Sequence, residues 1–185
     1  DHVNLFLTWG EVEGIVCSGI DKGKKTTYAL LDERVPPTRE LCREEALARL
    51  ASRYFQSHSP AQLQDFVWWS GLTATECRLA INLIKTELMT ETFDSREYFI
   101  HQSWKGKNES EPVLRLLPAF DEYLISYKNR TDVLPLEHHS KAFNRFGTFY
   151  PVILYNGKII GNWGRSVKKN SIQIEMDFFE KKPRI

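Results

Sequence analysis

With 185 residues, 42% of them hydrophobic and 12% aromatic, the chain can bury a sizeable core in one large or two small domains. Its 25 basic and 24 acidic residues leave a net charge of +1, which neither demands nor forbids nucleic acid. This composition excludes wholesale disorder, and no apolar run of about eighteen residues is present to span a bilayer.

Residues 1–38 place Leu5, Trp9, Val12 and Val16 on one helical face, with Gly19 as the expected stop. The chain starts at Asp1 rather than Met and shows no secretory leader, so the segment is expected to belong to a larger, processed or excised unit. Asp21 to Lys25 reads as a basic turn, Thr26 to Leu31 as a strand, and Pro36-Pro37 as a linker. A helix followed by a basic hairpin is half a domain.

Residues 39–111 are the most regular. Leu47, Leu50, Tyr54 and His58 line one helix. Ser59-Pro60-Ala61-Gln62 combines a Ser cap, a first-turn Pro and a Gln at the third position, opening a short helix that ends at Ser70-Gly71. Thr73-Ala74-Thr75-Glu76 is a second capping box, and the helix behind it buries Cys77, Ile81, Ile84 and Leu88. Two capped helices around a Gly turn predict a helix-turn-helix. Runs at 88–93 and 97–102, separated by Asp94-Ser95-Arg96, predict a hairpin. Three helices and a hairpin spell a winged helix. Its third helix carries Thr75, Arg78, Asn82 and Lys85 outward, residue types competent for base edges or phosphates. Glu76, Glu87 and Glu91 share that neighbourhood, which favours a structural or phosphate-only role.

Residues 112–185 read mostly as strand. Pro112 and Pro118 bracket one run, and Asn156-Gly157 joins two more as a hairpin. Ile172, Ile174, Met176 and Phe178 alternate with polar residues, predicting a half-buried strand. The expected fold class is α+β: part of one winged helix, a complete winged helix, then a small antiparallel β-rich barrel or sheet.

Charge is unevenly spread along these parts. Residues 1–111 hold 17 acids and 13 bases, whereas 112–185 hold 7 acids and 12 bases. Between His138 and Ile174 there is no acid, against six bases: Lys141, Arg145, Lys158, Arg165, Lys168 and Lys169. Such a run is either a local positive field or a solvated face. Trp163 lies within it as a candidate for stacking on a base. Cys17, Cys42 and Cys77 form no CxxC pair and are odd in number, as expected of reduced thiols in a cytoplasmic protein.

Three blocks occur in order: Ser59-Pro60-Ala61 through Asp65-Phe66-Val67-Trp68-Trp69-Ser70-Gly71-Leu72, then Leu116-Leu117-Pro118-Ala119-Phe120-Asp121-Glu122-Tyr123-Leu124-Ile125-Ser126-Tyr127 with Arg130, then Pro151 to Trp163 around Asn156-Gly157. Together they resemble the bacterial winged-helix DNA-binding family that includes the AlkZ-like DNA glycosylases. The resemblance implies stacked winged helices with a β-rich carboxy-terminal part, and an activity on alkylated purines and interstrand crosslinks. It also marks Asp121, Glu122, Tyr127 and Arg130 as a family signature. The residue-level alternative is an ion pair of Asp121 or Glu122 with Arg115 or Arg130.

The family's catalytic triplet, Gln-apolar-Gln or Gln-apolar-Asp, lies in an amino-terminal part that this chain is expected to lack. Gln62-Leu63-Gln64 matches in letters, but residues two apart on a helix point about 200° from each other, so both amides cannot hold one water. No catalytic residue is therefore assigned. Glu137-His138-His139 lacks a second cluster at zinc spacing and reads as a polar helix start, so no metal or cofactor is expected. The expected partner is double-stranded DNA, with no membrane. The alternative is a non-catalytic regulator or protein-interaction scaffold. The expected contacts are Lys22, Lys24 and Lys25 on the first hairpin and Lys158, Trp163, Arg165, Lys168 and Lys169 in the acid-free stretch, ahead of Arg78, Asn82 and Lys85. If the first and last groups both touch the duplex backbone, the DNA lies in a concave surface between them.

Overall fold

The computed structural model describes residues 2–37, 39–106 and 112–181. It divides into two compact units, Asp1–Cys42 and Arg43–Ile185. The junctions expected at 38/39 and 111/112 involve positions 38 and 111, which lie outside the described residues. The molecule is α+β, and the strand pairings among the described residues are antiparallel.

In the first unit, helix α1 (His2–Val12) is followed by strands β1 (Val16–Ser18) and β2 (Tyr28–Leu30) and a single turn of helix, α2 (Leu31–Arg34). The helix stops earlier than its apolar spacing suggests. Gly14 takes φ +69, and the amides of Gly14 and Ile15 bond back to Glu11 and Gly10. This pair of bonds is a Schellman motif, which needs the left-handed conformation that glycine adopts without penalty. Val16 therefore sits on a strand, and Gly14 rather than Gly19 ends the helix. Leu31, expected to close the second strand, opens α2 instead. Between the strands, Lys22 and Lys25 exchange backbone hydrogen bonds of 3.0 and 3.2 Å across a tight turn containing Gly23.

The second unit opens with α3 (Arg43–His58), α4 (Leu63–Ser70) and α5 (Ala74–Leu83), followed by the hairpin β3 (Leu88–Phe93) and β4 (Arg96–His101). Leu47, Ala51, Tyr54, Phe55, Phe66, Cys77 and Ala80 close a core among the three helices. Thr73 caps α5, accepting from the Glu76 amide, while the Glu76 carboxylate accepts from the Thr73 amide.

The start of α4 differs from expectation. Gln62, not Ser59, occupies the cap position, and the Asp65 carboxylate accepts the Gln62 amide at 2.9 Å. Ser59 instead donates to the Phe55 carbonyl and accepts the His101 amide, stitching α3 to β4. The Ser59 hydroxyl has a long-range partner in place of the local cap. Ile84 then breaks α5, so Lys85 lies on a 3-10 turn over Lys85–Glu87 and Leu88 begins a strand. Asp94 and Ser95 both have positive φ, the geometry of a two-residue type I′ turn. Arg96, expected in the turn, therefore begins β4 opposite Phe93, and the strand ends at His101 rather than at residue 102.

The remaining strands, β5 (Leu114–Leu117), β6 (Val152–Tyr155), β7 (Lys158–Lys168) and β8 (Ser171–Phe178), form one sheet in that order. Asn156 and Gly157 make the tight turn between β6 and β7, both at positive φ. A Cβ on Gly161 would lie 2.4 Å from the Asp177 carbonyl oxygen, so only glycine lets β8 approach here. Two short helices, α6 (Glu122–Ile125) and α7 (His139–Ala142), cover the sheet. Their contact closes a second core of Leu124, Leu134, Ala142, Phe149, Val152 and Ile159.

Beyond Asn162, β7 pairs only with β8, and the two continue as a ribbon past the edge of β6. The half-burial expected for β8 is not found. Val167 is 72% exposed and Ile172 64%, with Ile174 and Met176 also open, because among the described residues no second layer covers this face. No helix among the described residues is long and apolar enough to cross a membrane.

Candidate nucleic-acid interface

Exposed cations gather at three places. Lys22, Lys24 and Lys25 surround the tight turn of the first unit, all exposed. The β7–β8 ribbon carries Arg165, Lys168 and Lys169 towards its end. Directly opposed residues share a sheet face, so Arg165, facing Ile174, lies on the apolar side with Val167 and Ile172. Lys168 lies on the other side, where its ammonium donates to Gln173, and Lys169 stands in the turn. Trp163 is half-buried and spends its indole N–H on the Leu117 carbonyl at 2.7 Å.

Tertiary pairing changes the meaning of the acid-free stretch. The Lys158 ammonium donates to the Asp132 carbonyl, so it is tied to the second core. Strand β8 brings Glu175 opposite Gly164 and Asp177 opposite Asn162. Carboxylates that follow the stretch in sequence thus return beside it in space.

The third place is a groove of about 550 Å³ between α4 and the start of α5. Gln64, Arg78 and Lys128 supply its polar wall, and Leu63, Val67, Trp68 and Leu72 its apolar one. Asn82 and Lys85 are exposed but lie outside this lining. Lys128 carried no signal in the sequence, because its place beside Arg78 depends on a contact across 63 residues: its amide donates to Asp65 at 2.9 Å.

That contact belongs to a larger one. The segment 121–130, the family-signature block, docks on α3 and α4. Trp68 donates to the Ile125 carbonyl, Tyr127 to the His58 carbonyl, and His58 Nε2 lies 3.1 Å from the Ser126 hydroxyl. Asp121 caps α6 by accepting the Tyr123 amide, and Glu122 accepts from Ser126 and lies 3.6 Å from His58. Neither carboxylate pairs with Arg115 or Arg130. Arg130 instead lies over the rings of Trp68, Phe143 and Phe149 and donates to the Leu124 carbonyl. Burial lowers its pKa, the nearby Asp65 carboxylate partly opposing that shift. Burial, then the Asp65 charge, pushes the Tyr127 phenol up to about 12. The block therefore works as a clamp between the two cores of this unit.

Gln62 and Gln64 line different cavities. Gln62 faces one of about 290 Å³ with Asp65, Tyr98, Tyr123 and Tyr127, whereas Gln64 faces the α4–α5 groove. Gln62 is the extended cap residue ahead of α4, not part of the helix, so the 200° helical spacing expected between it and Gln64 does not apply. Glu137, His138 and Glu180 bring three donor atoms within 4.8 Å of one another, but Lys158 and Lys181 line the cavity that His138 and Glu180 share. The Nε2 of the buried His138 imidazole lies 3.4 Å from a Glu180 carboxylate oxygen.

A family model described as DNA glycosylase AlkZ-like matches residues 6–182. The chain is similar to an interstrand DNA cross-link repair glycosylase of Streptomyces sahachiroi, 26% identical over 170 residues, which are 84% of this chain and 46% of that protein. In fold it is similar to the solved structure of Streptomyces sahachiroi DNA glycosylase AlkZ, with a TM-score of 0.77 and 22% identity. That likeness covers 98% of this chain and 52% of the other, so the chain spans about half the length of these relatives.

Proposed function

This chain belongs to the AlkZ-like DNA glycosylase family, and from that premise we propose that it binds duplex DNA as the carboxy-terminal, winged-helix and β-rich portion of a glycosylase-like protein. The β7–β8 ribbon carries the proposal. It projects beyond β6 with Arg165, Lys168 and Lys169 near its end, as a backbone-gripping arm would. The Lys22–Lys25 turn offers a second grip of the same kind. The succession of α3, α4 and α5 followed by the β3–β4 hairpin supports a winged helix, with α5 in the place of the recognition helix.

Salt dependence tests this directly. Each lost phosphate contact should lower the log–log salt slope by about 0.9. Replacing Lys22, Lys24 and Lys25 together by Ala, or Arg165, Lys168 and Lys169 together, should weaken binding uniformly across DNA sequences. Replacing Arg78 and Lys85 together by Ala should matter less; a larger loss in that pair would show that the α5 region, and not these two grips, holds the DNA. This reading assigns no catalytic residue to the chain. The isolated chain should therefore free no alkylated base from N-alkylated duplex, and turnover abolished by Gln64→Ala would reverse that view.

One observation favours a scaffold as the second reading. The apolar ribbon face, and Leu5, Phe6 and Trp9 of α1, are exposed surfaces of the kind that protein interfaces cover. Partner binding that persists unchanged in high salt, with no affinity for duplex, would select it.

A further inference from the structure

The α4–α5 groove differs in its charge from three other cavities of the second unit. Beside α3, Arg49 and Arg53 share a cavity with Glu87. Under the signature block, Arg130 shares one with Asp65 and Asp132. Next to His138, Lys158 and Lys181 share one with Glu180. The α4–α5 groove holds two cations, Arg78 and Lys128, and its lining contains no acid. Both side chains are exposed, and neither has a carboxylate partner among the described residues.

The placement of Lys128 is built rather than incidental. Asp65 is only 3% exposed, and its two oxygens are occupied by the amides of Gln62 and Lys128, so its charge fixes the backbone and faces the neighbouring cavity instead of the groove. Trp68 and Tyr127 hold the same stretch through the Ile125 and His58 carbonyls. These bonds carry Lys128 to the wall opposite α5, leaving the ring of Trp68, 50% exposed, beside it.

We propose that this groove seats a phosphodiester of the DNA backbone between the Arg78 guanidinium and the Lys128 ammonium, with the Trp68 ring against the adjoining sugar. The proposal rests on the DNA-binding reading above and adds a third contact, in which Arg78 is joined by Lys128, a residue without a signal in the sequence. A guanidinium offers a forked pair of donors to phosphate oxygens, an ammonium a compact point charge, and the two together suit a singly charged phosphodiester. Asn82 and Lys85 lie outside the groove, so α5 contributes its first turns and not its length. Such a contact positions the duplex and carries no sequence information.

The test is titration of a labelled duplex with the complete chain across a range of salt. Arg78→Ala and Lys128→Ala should each lower the log–log salt slope by about 0.9, and the double variant by about twice that. The loss should be equal on unrelated sequences. The charge-keeping pair Arg78→Lys with Lys128→Arg should retain most of the slope, which separates loss of charge from loss of structure. A wild-type chain without salt-dependent affinity overturns the DNA reading and this site together. Wild-type binding with an unchanged slope in the double variant overturns the site alone. A loss confined to one DNA sequence overturns the phosphate assignment in favour of base contact.

Discussion

The α3–α5 core and the β7–β8 ribbon are both written in apolar periodicity, yet one is closed and the other open. In the helical core, Phe66 lies fully buried with ring centroids 5.0 Å from Tyr54 and 5.6 Å from Phe55. On the ribbon, Ile174 alternates as regularly but stays 49% exposed. Periodicity says which side chains share a face. Only a second surface decides whether that face leaves water.

Substitution sharpens this contrast. Phe66→Ala should cost about 3–5 kcal/mol, whereas Ile174→Ala should stay within about 0.5 kcal/mol. Denaturant midpoints of the two variants measure the difference, and equal costs would mean that the ribbon face is covered in solution. Asp65→Asn should come next, at about 1–3 kcal/mol, because an amide nitrogen would face one of two buried N–H donors. Since Asp65 ties α4 to the signature block, a neutral result would dissolve the clamp between the two cores.

Thr73→Ala should cost about 1 kcal/mol through loss of the α5 cap. Ser59→Ala should also destabilise, but by stranding the His101 amide on β4 and not by uncapping α4. Amide hydrogen exchange separates these, with faster exchange at His101 as the expected signature.

Acid supplies the gentlest probe. The hydrogen bond from Arg43, then those of Thr73, pull the Glu76 carboxyl down from 4.5 to about 2. Asp132 is likewise lowered, chiefly by its two bonds to Arg96 at 2.8 and 3.1 Å. A depressed carboxylate stabilises fully above its unfolded pKa, and that share is lost as pH falls through the folded value. Stability should therefore fade from about pH 4.5 towards 2, and Glu76→Gln should fall less steeply over that window. Parallel curves for the two proteins would show that the Arg43–Glu76 pair contributes nothing, as many exposed pairs do.

Local chemistry accounts for what was legible. The Thr73 capping box, the Asn156-Gly157 turn and the 88–101 hairpin each need only neighbouring residues, so four or five letters carry them. The Gly14 stop is hidden because the apolar spacing continues past it to Val16, which sits on a strand. The role of Ser59 is not legible locally, because a hydroxyl ahead of α4 can serve a helix cap or, as here, the distant His101 amide. Within the candidate interface, the lysines at 22, 24, 25, 168 and 169 were visible as charge runs. Lys128 was not.

Sequence by itself determined the α+β character, the presence of three successive helices before the hairpin, though not their ends, and the family resemblance of three ordered blocks. These follow from periods, caps and turns that act over a few residues. Tertiary structure alone decided that the 121–130 segment clamps α3 and α4, that β8 returns Glu175 and Asp177 to an acid-free stretch, and that Lys128 meets Arg78 across an acid-free groove. Charge and hydrogen bonding act through space, and a chain that folds back brings together groups whose separation along the sequence conceals them.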